Sequence, residues 1–256
     1  MTPAQYAIAG LAALAAGLVN ALAGGGTLIS FPVLLALGVP PVTANVTNTV
    51  ALVPGYLGGT IAQRDDLKGQ GHRLRVLMPA AALGGILGAV LLLITPESVF
   101  KVLVPFLIIG AVVILGLGDR VKRRVATRIS HLHDGIESLR GPVVGVFLAA
   151  IYGGYFGGGL GIIVLAVLGM VLVDSITRIN ALKQCTSLAV NGFAAIIFLF
   201  SGDVLWITAA VMLVCALIGG FLGGEVAHHV PGRVLQRLVL VIGVLVAIGY
   251  TVRTFG

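Results

Sequence analysis

The chain has 256 residues, 58% of them hydrophobic and only 10% charged, with a formal net charge of +7 and a mean hydropathy of +1.11. Soluble domains average about 25% charged residues, so this composition excludes a water-soluble globular fold and points to helices that cross a bilayer. The positive charge falls in short segments between apolar runs, where Lys and Arg set membrane orientation, and so does not signal a nucleic-acid partner.

Apolar segments follow in chain order at 4–23, 27–38, 42–62, 76–94, 99–118, 141–156, 160–173, 182–201, 205–224 and 234–252. The first ends on Ala21-Leu22-Ala23, which fits a secretory cleavage pattern, but Met1 to Tyr6 carries no Lys or Arg leader. It is therefore read as part of the fold. It runs into three consecutive glycines, Gly24, Gly25 and Gly26, although Gly costs about 1 kcal/mol against Ala inside a helix. The run at 42–62 carries Asn45, Thr47, Asn48 and Thr49 near its start, with Asn45, Asn48 and Thr49 on one helical face. In the next, Gly84, Gly85 and Gly88 offer a small-residue face of the kind helices use in lipid, one that could pack against a second copy of the chain, although sequence does not fix the oligomeric state.

The polar stretch 119–140 divides the chain. Val121, Val125, Ile129, Leu132, Ile136 and Leu139 recur in it at helical spacing among basic residues, predicting an amphipathic helix on the membrane surface, with a solvated linker as the rival reading. The expected organisation is a membrane repeat over 1–118, a linker over 119–140 and a second repeat over 141–256.

The second half repeats the first. "AGGGTLISFPVLLALG" (23–38) is answered by "FGGGLGIIVLAVLG" (156–169), and Thr47-Asn48 by Thr186-Ser187 in "LKQCTSLAVNG". Charge orients the halves. The loop at 63–75 carries Arg64, Lys68, Arg73 and Arg75, whereas its counterpart at 202–205 carries no Lys or Arg. Arg233 and Arg237 at 225–237 face a counterpart holding only Lys101, and Arg178 and Lys183 face the uncharged Pro40-Pro41 turn. Basic loops pair with loops poor in base, so the halves are expected in opposite senses, with the linker cytoplasmic and both termini outside. The fold class is an all-α polytopic membrane protein of two inverted-topology repeats. Each holds a Gly-interrupted helical hairpin and about three full transmembrane helices.

This arrangement gives the glycine triplets a purpose. The runs at 27–38 and 160–173 would reach about 18–21 Å against a core of ~30 Å. Short Gly-interrupted segments at matching places in two halves point to a transporter's substrate site. Helices starting at Thr27 and Leu160 would aim positive ends into it, which suits an anion. Candidate contacts at the breaks are Gly25, Gly26, Thr27, Gly158 and Gly159, with Asn20 and Tyr155 just ahead of the triplets. Asn45, Asn48 and Thr49 in one half and Asn180, Gln184, Ser187 and Asn191 in the other make two polar stripes that would line one cavity, with the aligned Thr47 and Thr186 as further candidate contacts. The alternative is that they only tie helices together. Lys183 lies one turn from Ser187, as a site or access-path residue for an anion, or as a snorkelling interfacial lysine like Arg178.

The motifs "GLVNALAGGGTLISFPVLLALGVPPVTANVTN", "GGYFGGGLG" and "RINALKQCTS" resemble the TauE/SafE family of sulfite exporters over nearly the whole chain. The resemblance implies efflux of sulfite and organosulfonates. Where the family commonly has Gly-Thr-Asn, this chain has Val46-Thr47-Asn48 and, in the second half, Cys185-Thr186-Ser187.

The remaining chemistry is sparse. Cys185 and Cys215 have no metal or redox spacing, the carboxylates and histidines fall in loops or at segment ends, and no phosphate-loop motif is present. No cofactor, metal or catalytic residue is expected. The leading expectation is a cell-membrane secondary transporter exporting a small sulfur anion. The rival is a non-transporting membrane subunit that assembles sulfur enzymes on the linker 119–140.

Overall fold

The computed structural model describes residues 1–22, 24–129, 139–172 and 174–226. Among them the chain is all-helical: α1 (Pro3–Leu22), α2 (Thr27–Ala36), α3 (Pro41–Ala62), a 3₁₀ turn (Arg64–Leu67), α4 (Gly71–Ile94), α5 (Glu97–Ile129), α6 (Arg140–Tyr155), α7 (Leu160–Val171), α8 (Ile176–Leu199) and α9 (Trp206–Val226). The segment at 234–252, the basic residues Arg233 and Arg237, and His131, His133, His228 and His229 lie outside the described residues.

Local chemistry sets the helix ends. α1 opens on a reciprocal cap, with the Thr2 N–H donating to Gln5 Oε1 (2.8 Å) and the Gln5 N–H to Thr2 Oγ1 (3.4 Å). α2 closes on Gly38, whose φ of +87° lets Gly38 and Val39 return their N–H groups to Leu35 and Leu34, each at 3.0 Å. α7 instead runs through Gly169 to Val171. The Leu-Gly pairs that look equivalent in sequence therefore do different work.

Five helical stretches, α1, α4, Glu97–Gly118 of α5, α8 and α9, have the length and apolarity of a membrane span. Leu83, Phe106, Leu148 and Ile207 stand exposed on them and on α6, a surface that lipid rather than water would cover. α2 and α7, of 10 and 12 residues, reach only about 15–18 Å. The helix expected to end at 118 continues without a break to Ile129, so the first part of the linker region prolongs α5. The part at 130–138 is outside the described residues.

α9 packs between α1 and α3, α4 between α6 and α8, and α3 lies against α8. Glycine brings these backbones together, as small residues do in lipid. A Cβ on Gly220 of α9 would stand 1.9 Å from the Gly55 carbonyl oxygen of α3, and one on Gly154 of α6 would stand 2.2 Å from that of Gly85 in α4. The expectation that Gly84, Gly85 and Gly88 suit a second copy is corrected here. All three are filled from within the chain, by Phe147, Val190 and Ile151 respectively.

The inner face of α5 completes the frame. Val104, Ile108, Ala111 and Leu115 are buried at spacings of four, three and four. Leu115 lies against Gly25 and Ala111 against Gly158, so one helix backs both glycine breaks.

Candidate functional site

The two glycine breaks touch. Gly24 (φ +78°) opens the first, and Gly157 and Gly159 (φ +78° and +75°) lie in the second, a conformation that costs L-residues with a Cβ about 1–2 kcal/mol. A Cβ on Gly24 would lie 2.7 Å from Gly161 Cα in the first turn of α7. Asn20 Oδ1 accepts the Gly26 N–H at 2.7 Å, and the Tyr152 hydroxyl donates to the Gly158 carbonyl at 2.6 Å. Phe31 and Phe156 meet edge to face beside the breaks, with centroids 5.3 Å apart. α2 begins at Thr27 and α7 at Leu160, where the sequence predicts them, and the positive ends of both short helices are brought to one region.

Each half's polar helix grips the other half's break. From α8, Lys183 Nζ donates to the Asn20 carbonyl at 3.3 Å and Asn180 Nδ2 to the Ala21 carbonyl at 3.4 Å. From α3, Asn45 Nδ2 donates to the Tyr155 carbonyl at 2.9 Å. Lys183 is 1% exposed, too deep for a snorkelling lysine. Every Asp and Glu whose side chain is described lies outside the buried set, which holds the amine of Lys183.

The stripes themselves run side by side on α3 and α8. Gln184 Nε2 donates to the Tyr56 carbonyl (3.4 Å) and Asn191 Nδ2 to the Ser187 carbonyl (2.9 Å). A Cβ on Gly157 would lie 3.9 Å from both Asn191 Oδ1 and Thr27 Oγ1, which brings Thr27, Gly157 and Asn191 together. Among the described residues five buried side-chain atoms have no hydrogen-bond partner: Asn45 Oδ1, Asn48 Oδ1, Gln63 Nε2, Gln184 Oε1 and Ser187 Oγ. Native structures seldom leave such groups unmet, so the stripes hold spare hydrogen-bonding capacity.

Not every candidate side chain is placed to serve a ligand. Thr47 Oγ1 accepts the Leu205 N–H at 3.0 Å and Thr186 Oγ1 donates to the Leu182 carbonyl at 2.8 Å. The threonines that align the repeats are thus engaged with backbone. Asn20 caps the first break. The Tyr155 hydroxyl sits 3.5 Å from Thr95 Oγ1, and the tyrosine that clasps the second break is Tyr152, one turn earlier.

At one end of the bundle the basic loops meet. Arg73 Nη1 reaches Asp174 Oδ2 (2.5 Å), Arg178 Nε reaches Asp174 Oδ1 (2.8 Å), and Arg178 Nη1 donates to the Lys68 carbonyl (2.9 Å). Burial pushes the Asp174 carboxyl up, but hydrogen bonds from Arg73, Arg178 and the Ser175 N–H outweigh it and hold the group below the usual carboxylate range. Arg178 is thereby committed to a loop contact. Among the described residues no cluster of His, Cys, Asp and Glu could hold a metal ion.

The family model described as Sulfite exporter TauE/SafE matches residues 9–250. The chain belongs to the TauE/SafE sulfite exporter family. A probable membrane transporter protein of Haemophilus influenzae is 30% identical over 234 residues, covering 89% of this chain and 86% of the relative. The probable membrane transporter protein ORF9 of a Sinorhizobium species is 28% identical over 93% of this chain and 89% of its own length. The probable membrane transporter protein YfcA of Escherichia coli K12 is 23% identical over 96% and 90%. No solved structure matches. The TauE/SafE chain is therefore a multi-pass membrane transporter.

Sequence reasoning did not single out Tyr56, Tyr152 or Gln63 in this TauE/SafE protein. Tyr152 was legible in principle, since it lies one turn before Tyr155 on the approach to the triplet. Gln63 was hidden by its neighbours, because it opens the charged loop and reads as solvated.

Proposed function

We propose that this transporter exports a small sulfur oxyanion or organosulfonate, binding it between two halves of inverted topology that expose it alternately to each side of the membrane. The observation that carries this reading is the buried ammonium of Lys183 beside the first glycine break. The N-termini of α2 and α7 are close by, and no described carboxylate is buried. Such a region favours an anion by charge and dipole alike. Asn48 on α3 and Ser187 and Asn191 on α8 supply uncharged contacts.

The inverted arrangement is supported by an exchange in the packing. α1 lies on α9 as α6 lies on α4, and α3 lies on α9 as α8 lies on α4. The basic loops at one end would face the cytoplasm, with the termini on the other side.

Purified protein in vesicles loaded with sulfite, sulfoacetate, taurine, thiosulfate or sulfate tests the reading. Release of at least one sulfur anion should exceed that from empty vesicles, and no anion-dependent flux across the panel overturns it. The exposed Arg120, Arg123 and Arg124 on the prolonged end of α5 favour a second reading, in which the protein docks sulfur enzymes at the membrane. Neutralising them would then abolish function while leaving flux by the isolated protein untouched.

A further inference from the structure

Gln63 stands one residue beyond α3 and is 2% exposed. A chain of contacts orients its amide. The Ala21 carbonyl can only accept, so Asn180 must offer it Nδ2, which it does at 3.4 Å; the same Nδ2 lies 2.7 Å from Gln63 Oε1. Gln63 Nε2 is thereby left as a buried donor with nothing to donate to.

Its surroundings are equally specific. Asn180 and Lys183 are one turn apart on α8 and hold the consecutive carbonyls of Ala21 and Asn20. Gln63 and Lys183 therefore flank the same end of α1, where it runs into the first glycine break. The other unpartnered amide atoms are different in kind. Asn45 and Gln184 spend their NH₂ groups on the carbonyls of Tyr155 and Tyr56, so the atoms left over are acceptors, which an oxyanion cannot use. Among the five unpartnered atoms, Gln63 Nε2 is the obligate donor.

We propose that Gln63 Nε2 and Lys183 Nζ form the oxyanion-binding subsite of the transport path, at its end nearer the basic loops, and that Gln63 is a substrate-binding residue. The subsite rests on the anion-transport reading above and adds to it the place where the charged oxygens are held. The acceptors Asn45 Oδ1 and Gln184 Oε1 then face whatever part of the substrate carries hydrogen.

Two substitutions test it. Gln63→Met keeps the shape and removes the donor; it also takes away the oxygen that accepts from Asn180 Nδ2, which keeps the Ala21 carbonyl and is itself only half-buried. Gln63→Glu keeps an acceptor for Asn180 and sets a carboxylate oxygen where Nε2 was. The full chain in detergent is titrated calorimetrically with sulfite and with methanesulfonate, which stays ionised at every working pH. Gln63→Met should weaken binding about tenfold, as expected for a lost hydrogen bond to a charged group. Gln63→Glu should abolish it. The lost Asn180 bond costs about 1 kcal/mol, so the thermal unfolding midpoint of Gln63→Met should fall by no more than about 4 °C, too little to account for the loss of binding.

Wild-type affinity in Gln63→Met overturns the subsite and leaves anion transport standing. So does a loss of affinity that merely tracks a loss of thermal stability. A wild-type protein that neither binds nor moves any sulfur anion overturns both. Should Gln63→Glu fail to fold, the methionine variant alone decides.

Discussion

Gly161→Ala tests whether the two glycine breaks work as one unit, because it isolates their packing. Gly161 lies in the first turn of α7, where alanine gains about 1 kcal/mol of helix propensity. Against that gain, a Cβ there would stand 2.7 Å from Gly24 Cα and 3.4 Å from the Gly24 oxygen. Carbon atoms rest at about 3.5–4.0 Å, so the breaks must part by about 1 Å. Gly24 is poorly able to give way, since its φ is +78° and its N–H is bonded to the Val19 carbonyl at 2.9 Å. Overpacking of this kind costs about 1–3 kcal/mol, so the net loss after propensity is roughly 0–2 kcal/mol. The unfolding midpoint in detergent should fall by no more than roughly 8 °C. Flux in vesicles should suffer more, by tenfold or beyond, because a site about 1 Å out of register loses its function before its fold. Gly192→Ala, in α8 with nothing within 4 Å of the added carbon, is the control and should transport normally. A Gly161→Ala protein with wild-type flux and a midpoint at or above wild type refutes the contact between the breaks in the working protein.

Lys183→Met removes the donor to the Asn20 carbonyl and should cost about 1–3 kcal/mol of stability, while anion binding falls by about a hundredfold or more; wild-type sulfonate flux in this variant would remove Lys183 from the site. The carboxyl of Asp174 titrates below its unfolded value near ~3.9. Its stabilisation is therefore present above that pH and lost as pH falls through the lower, folded value. Asp174→Asn should cost roughly 1–3 kcal/mol at pH 7, between exposed and buried ion-pair values. Thermal unfolding scans should show this difference shrinking on acidification, and a difference that grows would contradict the assignment. If the proposed export is a simple uniport, the membrane potential drives it, favouring loss of a monoanion by about 2.3 kcal/mol per 100 mV, roughly a fiftyfold gradient. In vesicles clamped with potassium and valinomycin, flux of a permanently ionised sulfonate should follow the imposed potential. Uphill movement driven by a pH gradient alone would refute simple uniport.

Much of the frame was legible in the residues. Hydropathy marks the spans, because transfer from water to lipid is a sum over side chains and needs no knowledge of neighbours. The helix starts at Thr27 and Leu160 were readable for the same local reason, since three glycines cannot sustain a helix that an apolar run then resumes. Asn20, Asn45, Lys183 and Gln184 were recognisable as polar groups too deep to be accidental. Their assignments were not. Lys183 reads equally as a snorkelling interfacial lysine until the carbonyl of Asn20 is seen in its path. Thr47 and Thr186, which match across the repeat, spend their hydroxyls on backbone. Gln63, set in a charged loop, shows nothing in sequence of its 2% exposure. Gly84, Gly85 and Gly88 advertise a close contact without naming the partner, which proved to be α6 and α8. Residue type determines which elements form and that polar groups must be met inside them. Which carbonyl meets which amide depends on how α1 and α6 end against helices more than a hundred residues away, and only the packed tertiary structure decides that.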